Sequence, residues 1–128
     1  MGQKFNILIA DKNPHVRELL KREMIADGYR VHLAQNAHQL LKWLYHNEHF
    51  DILIVDPDFP DADVSSLLNQ LQEHFPLLPV VIHTIFTDFG EYTNVLRVFP
   101  FVEKQGGSID QLKNVVFDIL HKLRQKHS

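Results

Sequence analysis

The sequence predicts an α/β fold with a doubly wound, five-stranded parallel sheet in the order 2-1-3-4-5 and helices on both faces. Short apolar runs alternate five times with segments of helical periodicity, which is typical of a parallel sheet with crossover helices. The first, third and fourth runs are apolar nearly throughout, as in strands covered on both faces, whereas the second and fifth contain polar residues or proline. With the second and fifth strands at the edges, the strand order follows.

The first strand and helix are predicted from an apolar run followed by helix-start signals. Residues 5–10 form the strand, after which Asn13 can act as N-cap and Pro14 as the first helical residue. Apolar residues then recur at helical spacing until Gly28, which ends the helix. The second strand, residues 30–34, alternates polar and apolar side chains, as in a strand with one solvent-exposed face or at a sheet edge.

The middle of the chain continues the alternation. A helix is predicted at about residues 37–47, followed by a strand at 52–56 that is apolar up to its final aspartate. An apolar stripe of helical spacing covers residues 64–75 and is closed by Pro76. The fourth strand is predicted at residues 80–84.

The last third of the chain predicts the remaining elements. Residues 86–95 should form the fourth helix, although Gly90 and two threonines make it a poor one. The fifth strand is predicted at residues 98–102, and Pro100 inside it lacks the N–H for a ladder hydrogen bond, which again indicates an edge. The last helix is predicted to begin at Ser108 as the first residue of a capping box.

Composition restricts the function classes. The chain has 128 residues, 45% hydrophobic and 23% charged, which predicts a single domain over residues 1–128. A net charge of −3 gives no general electrostatic reason to bind nucleic acid or an anionic membrane. No apolar run approaches the roughly 20 residues of a membrane span. The absence of cysteine agrees with a reducing cytoplasm, where we expect the protein to be located.

Four polar residues fall at the carboxyl ends of predicted strands. Asp11 follows the first strand and Asp56 ends the third, while Thr84 ends the fourth and Lys104 comes just after the fifth. Ligands of doubly wound sheets bind beyond the carboxyl ends of the strands, at the switch point between the first and third. Each residue alone could be explained locally, since Asp and Thr are common as caps in strand-to-helix turns. Because all four lie at the same end of different strands, a shared site is favoured.

These residues lie in stretches that resemble the receiver domain of response regulators over essentially the full chain: ILIADKNP, DILIVDPDFPDAD, LPVVIHT and FVEKQGGSIDQLKNVV. The resemblance implies the flavodoxin-like fold of the CheY-like superfamily and a role in two-component signalling. By this resemblance a histidine kinase or phosphotransfer protein phosphorylates Asp56, and Asp11 binds Mg²⁺. It likewise implies that Thr84 contacts the phosphoryl group, that Lys104 is its cationic partner, and that Phe101 is an aromatic switch. Such a domain is a stoichiometric phosphoacceptor and not a turnover enzyme.

Several positions depart from the pattern of that family. Receivers usually have two consecutive acids after the first strand, but here Lys12 occupies the second acidic position, which should weaken Mg²⁺ binding. Asp58 could partly replace the lost ligand, so the predicted metal ligands are Asp11, Asp56 and Asp58. Pro57 has no N–H to offer a phosphoryl group. We also expect Asp58, Asp61 and Asp63 to crowd negative charge around Asp56, and Ile85 to narrow access to it.

The resemblance also implies an output surface. In receivers the fourth helix, the fifth strand and the last helix form the usual face for output or dimerisation, so we expect an unidentified output protein or domain, or a homodimer, to bind there. Phe89, Tyr92, Phe99 and Phe101 could form an aromatic patch on this face, with burial in the core as the alternative. His83, next to Thr84, is expected to be a core histidine with satisfied hydrogen bonds.

Two hypotheses of different classes follow from the sequence. In the first, Asp56 accepts a phosphoryl group and the output face changes its affinity for a partner. In the second, the chain is a pseudo-receiver interaction module in which Lys12 pairs with Asp56 or Asp11, displaces Mg²⁺ and leaves Asp56 unphosphorylated. A doubly wound flavin or nucleotide binder is a more distant third.

Overall fold

A parallel five-stranded sheet forms the centre of the protein. The computed structural model describes residues 4–46, 49–85 and 98–126. Its strands are β1 (Asn6–Ala10), β2 (Arg30–Ala34), β3 (Ile52–Val55), β4 (Val80–Thr84) and β5 (Phe101–Glu103). They are arranged in the order β2-β1-β3-β4-β5, and every neighbouring pair is parallel. The predicted sheet, its strand order and its two edge strands are therefore confirmed.

Helices connect the strands as the periodicity predicts. They are α1 (Pro14–Ala26), α2 (Ala37–Tyr45), α3 (Val64–His74) and a C-terminal helix (Ser108–Lys126). The side chain of Asn13 accepts hydrogen bonds from the N–H groups of His15 and Val16, so Asn13 is the N-cap of α1 as predicted. The predicted fourth helix at residues 86–95, with Phe89 and Tyr92, lies outside the described residues.

The core has two layers because successive side chains of a strand point to opposite faces of the sheet. Leu8 of β1 packs on the face covered by α2 and α3, while its neighbours Ile7 and Ile9 pack on the face covered by α1 and the C-terminal helix. All three side chains are fully buried. This double burial explains why the central strands are apolar at nearly every position.

One predicted boundary and one predicted cap are wrong, although the last helix does begin at Ser108 as predicted. The fifth strand begins at Phe101 and not at Val98, because Pro100 precedes the strand and only its carbonyl takes part in pairing, accepting from Ile82 N–H at 2.9 Å. Ser108 is the first residue of the C-terminal helix and not its cap, since the N–H of Gln111 bonds to the carbonyl of Gly107. The hydroxyl of Ser108 instead lies 3.3 Å from His83 Nε2.

The parallel sheet brings the carboxyl ends of its strands to one edge. The carboxyl ends of β1, β3, β4 and β5 lie side by side, since these strands are parallel and adjacent.

No helix within residues 4–46, 49–85 and 98–126 is long and apolar enough to cross a membrane.

Candidate functional site

The four polar residues predicted at strand ends come together at this edge of the sheet. Asp11 directly follows β1, Asp56 directly follows β3, Thr84 ends β4, and Lys104 directly follows β5. Asp56 N–H bonds to the carbonyl of Ala10 at 3.0 Å, and Lys104 N–H bonds to the carbonyl of Thr84 at 2.8 Å, so the backbone ladder extends into the site. Asp11, Asp56 and Thr84 are buried.

The carboxylate of Asp56 is the centre of the site. Its Oδ1 accepts hydrogen bonds from Thr84 Oγ1 at 3.0 Å and from the backbone N–H of Asp58 at 3.1 Å. Its Oδ2 accepts a charge-assisted hydrogen bond from Lys104 Nζ at 2.7 Å. Pro57 cannot donate a hydrogen bond, as the sequence indicates, but the N–H of the next residue does so in its place.

Lys104 joins Asp56 to Asp11. Its Nζ lies 2.8 Å from Asp11 Oδ2, so one ammonium neutralises charge on two buried carboxylates. Burial disfavours the charged form of Lys104, but the hydrogen bonds to Asp11 and Asp56 outweigh burial and raise its pKa. For Asp11 burial is the larger effect and raises its pKa, although Lys104 and the Asn13 N–H oppose it. The site therefore keeps a fixed cation between two carboxylates.

Lys12 has a different partner from the one predicted. Among the described residues its ammonium pairs with Asp58, with Nζ 2.6 Å from Asp58 Oδ2, whereas the pseudo-receiver hypothesis expects Asp56 or Asp11. Lys104 already occupies the position between those two carboxylates, which leaves Asp58 as the acid open to Lys12. The hydrogen bond to Asp58 raises the pKa of Lys12.

The predicted crowding of acids around Asp56 is only partly present. Asp61 accepts the N–H groups of Ala37 and His38 at 3.0 Å each, so it supplements the N-cap Asn36 at the start of α2. Asp63 accepts the N–H of Ser66 and is the N-cap of α3. Asp58 remains next to Asp56, and its carboxylate is paired with Lys12. Two of the three extra acids are thus structural.

The predicted metal ligands are not gathered around a common point. Within residues 4–46, 49–85 and 98–126, no three acidic or histidine side chains are arranged to hold a metal ion. Asp11 and Asp56 both bind Lys104, and Asp58 is turned to Lys12. In donor chemistry the three carboxylates still fit Mg²⁺, which prefers oxygen ligands. Metal binding therefore has to compete with two ammonium groups.

Two contacts of the site had no signal in the sequence. Arg17 Nη1 donates to the backbone carbonyl of Asp11 at 2.7 Å and fixes the turn between β1 and α1. His83 is buried, as predicted, but only its Nε2 has a partner, Ser108 Oγ. The described residues offer no hydrogen-bond partner to His83 Nδ1, so the expectation of a satisfied histidine is wrong.

Three apolar residues singled out in the sequence lie in or next to β4 and β5. Phe101 begins β5 and is half exposed, while Ile85 directly follows Thr84 and is also partly exposed. Phe99 is partly buried against the core beside α2 and α3, which agrees with the alternative that it is a core residue. Ile85 thus lies directly after the Thr84 of the site, and its narrowing of access to Asp56 stays a prediction.

Comparison with known proteins gives one consistent result. A family model described as the response regulator receiver domain matches residues 7–116. The DNA-binding transcriptional regulator NtrC of Proteus hauseri is 30% identical over 126 residues, which are 97% of this chain and 26% of the relative. This chain therefore spans about a quarter of the length of that relative.

Solved structures agree with the fold. The response regulator TrrA from Thermotoga maritima, in complex with Mg²⁺-BeF, is 24% identical with a TM-score of 0.77, over 90% of this chain and 98% of that one. A complex of histidine kinase ThkA with TrrA also matches, with 24% identity and a TM-score of 0.77, over 91% of this chain and 98% of that one.

Proposed function

The chain belongs to the response regulator receiver domain family of two-component signalling, and we propose that Asp56 is its phosphoryl acceptor. The observation that carries this proposal is the convergence of a hydroxyl, an ammonium and a backbone N–H on one buried carboxylate. A histidine kinase or phosphotransfer protein is the proposed donor, which the complex of ThkA with TrrA supports. The chain then acts stoichiometrically and not as a turnover enzyme.

The chemistry requires positioning and charge neutralisation. An oxygen of Asp56 forms a bond to phosphorus, while the bond from phosphorus to the donor breaks and its electron pair stays with the donor. For a phosphohistidine donor, the leaving atom is an imidazole nitrogen. The Lys104 ammonium lies where negative charge accumulates, and the Thr84 hydroxyl can donate to a phosphoryl oxygen instead of to the carboxylate.

Mg²⁺ is the proposed cofactor. Asp11 and Asp56, with Asp58, would hold it, and when bound it would neutralise charge on the phosphoryl oxygens. The three carboxylates share two ammonium groups, which leaves one net negative charge. An aspartate in place of Lys12 would leave three. We therefore propose that Lys12 weakens Mg²⁺ binding relative to receivers with two consecutive acids.

The output of this receiver is proposed from the family. Phosphorylation would shift the population of conformations and change binding of an output protein or domain, or a homodimer, at the face that includes β5 and the C-terminal helix. This chain spans about a quarter of the matched relatives NtrC and AtoC, so we propose that the output region is a separate part of such proteins. We place the domain, residues 1–128, in the cytoplasm, without direct contact to nucleic acid or membrane.

Intact-mass spectrometry tests the acceptor. The protein is incubated with an acyl phosphate donor and Mg²⁺, and we expect a gain of one phosphoryl group. Asp56→Asn should abolish the gain, because the amide is not a comparable nucleophile. Asp118→Asn is the matched control, since Asp118 lies exposed on the C-terminal helix, and it should react like the wild type.

Two results contradict the proposal. A mass gain that persists in Asp56→Asn would place the phosphoryl group elsewhere. No gain in the wild type, and none in Lys12→Asp with the second acid restored, would favour the pseudo-receiver module in its place.

A further inference from the structure

The ion pair between Lys12 and Asp58 is next to the acceptor but is not part of it. Lys12 Nζ lies 2.6 Å from Asp58 Oδ2, and the backbone N–H of Asp58 lies 3.1 Å from Asp56 Oδ1. A lysine stem has four rotatable carbons, so its ammonium can move over several ångströms without a backbone change. The ammonium of Lys12 is therefore held by a residue that itself contacts the reacting carboxylate of Asp56.

This ion pair is exposed and weak. The side chains of Lys12 and Asp58 are 49% and 44% exposed, respectively. Exposed pairs contribute little net stability, because water solvates the separated charges well and pairing restricts two flexible side chains. By contrast, the Lys104 side chain is only 16% exposed and is held by two carboxylates. Lys12 is thus the more easily released of the two cations.

Phosphorylation changes the charge that Lys12 faces. Asp11, Asp56 and Asp58 together carry one more charge than Lys12 and Lys104 neutralise. Conversion of the Asp56 carboxylate to an acyl phosphate dianion adds another negative charge and three acceptor oxygens. A phosphoryl dianion attracts an ammonium more strongly than a half-exposed carboxylate does.

We propose that Lys12 is a phosphoryl-binding residue, which leaves Asp58 when Asp56 reacts and binds an oxygen of the phosphoryl group. The inference rests on the proposed function, since it needs Asp56 to be the acceptor. Lys12 supplies part of the positive charge expected from a divalent metal, so the reaction proceeds without added metal. No proton moves in this step. The Asp56 oxygen joins phosphorus, the electron pair of the broken P–O bond leaves with the carboxylate of an acyl phosphate donor, and Lys12 stays an ammonium.

The test compares phosphorylation rates in EDTA and in excess Mg²⁺, using acetyl phosphate and an intact-mass time course. The wild type should react in EDTA. Lys12→Met should lower that rate about tenfold or more, as expected for the loss of one charge-assisted hydrogen bond in the transition state, and should respond more strongly to Mg²⁺. Lys12→Arg should keep the metal-free reaction.

Asp58→Asn should have the opposite effect. It releases Lys12 and removes one proposed metal ligand, so its rate in EDTA should equal or exceed that of the wild type while its response to Mg²⁺ falls. Lys42→Met is the matched control, because Lys42 is an exposed lysine on α2 and its loss changes the net charge equally. It should follow the wild type in both conditions.

The outcomes separate this inference from the proposed function. A wild type that reacts only with Mg²⁺, or a Lys12→Met rate in EDTA equal to that of the wild type, overturns the role of Lys12 and leaves Asp56 as acceptor. No mass gain in either condition overturns both. Circular dichroism of each variant checks folding, which substitutions of half-exposed side chains should preserve.

Discussion

Replacement of His83 by leucine should make the domain less sensitive to acid. His83 is 2% exposed in β4, and burial, with the nearby charge of Lys104 as the second cause, lowers its pKa from 6.5 to about 4. The folded protein therefore keeps His83 neutral in a range where the unfolded chain binds a proton. Stability should fall as the pH decreases from about 6.5 to about 4.

The size of this effect follows from the pKa difference. Each pH unit within that range costs about 1.4 kcal/mol, so acidification from pH 7 to about pH 5 should remove about 2 kcal/mol of unfolding free energy through His83 alone. His83→Leu removes the group that titrates. It also loses the hydrogen bond to Ser108 Oγ, which should cost about 1 kcal/mol at pH 7.

Urea unfolding at about pH 7 and pH 5, followed by circular dichroism, measures both free energies. His83→Leu should lose about 2 kcal/mol less than the wild type between the two conditions. His15→Gln is the control, because His15 is exposed at the start of α1, and it should keep the wild-type pH dependence. Equal losses in the wild type and His83→Leu would refute the assignment of a buried, neutral histidine.

Three further predictions concern contacts around the site. Asp61→Ala should lower the unfolding free energy by about 1 kcal/mol in urea titration, because the first two N–H groups of α2 lose their acceptor, whereas Asp118→Ala should have little effect. Thr84→Val should slow phosphorylation by acetyl phosphate about tenfold, while Thr84→Ser keeps the hydroxyl and most of the rate. Lys104→Met should destabilise the fold by about 3 kcal/mol at neutral pH in the same titration, because the buried carboxylates of Asp11 and Asp56 lose their cation. Adding Asp56→Asn should recover part of this loss, since it removes one of the two charges.

The fold could be predicted from the sequence because its strongest signals are local. Apolar residues in succession at 52–55 indicate a strand buried on both faces, and Asn13 with Pro14 indicates a helix start. The apolar pattern places the start of the fifth strand too early, because Val98 and Phe99 are as apolar as the strand itself. Its start depends on pairing with β4, in which only the carbonyl of Pro100 can take part.

The helix start near Ser108 shows a second limit. Its hydroxyl has the spacing of a capping box, but a histidine 25 residues earlier in β4 competes for it. Which partner the hydroxyl takes depends on how the C-terminal helix packs on the sheet. The spacing of residues along one helix does not predict that packing. The same holds for Arg17, whose contact with the Asp11 carbonyl requires the geometry of the first turn.

The candidate site likewise has a part that the sequence predicts and a part that it does not. The partner of Lys12 belongs to the second part. Topology brings Asp11, Asp56, Thr84 and Lys104 together, since parallel adjacent strands end at one edge of the sheet. The strand order itself is predicted by which strands are apolar throughout and which contain polar residues or proline. The partner of Lys12 depends instead on competition between cations. Lys104 is anchored by β5 between Asp11 and Asp56, so the pairing predicted for Lys12 is already taken and Asp58 is the acid that remains. The strand order thus fixes Lys104 between two carboxylates and leaves Lys12 in an exposed ion pair. This difference is the reason that the proposed movement to a phosphoryl group is assigned to Lys12 and not to Lys104.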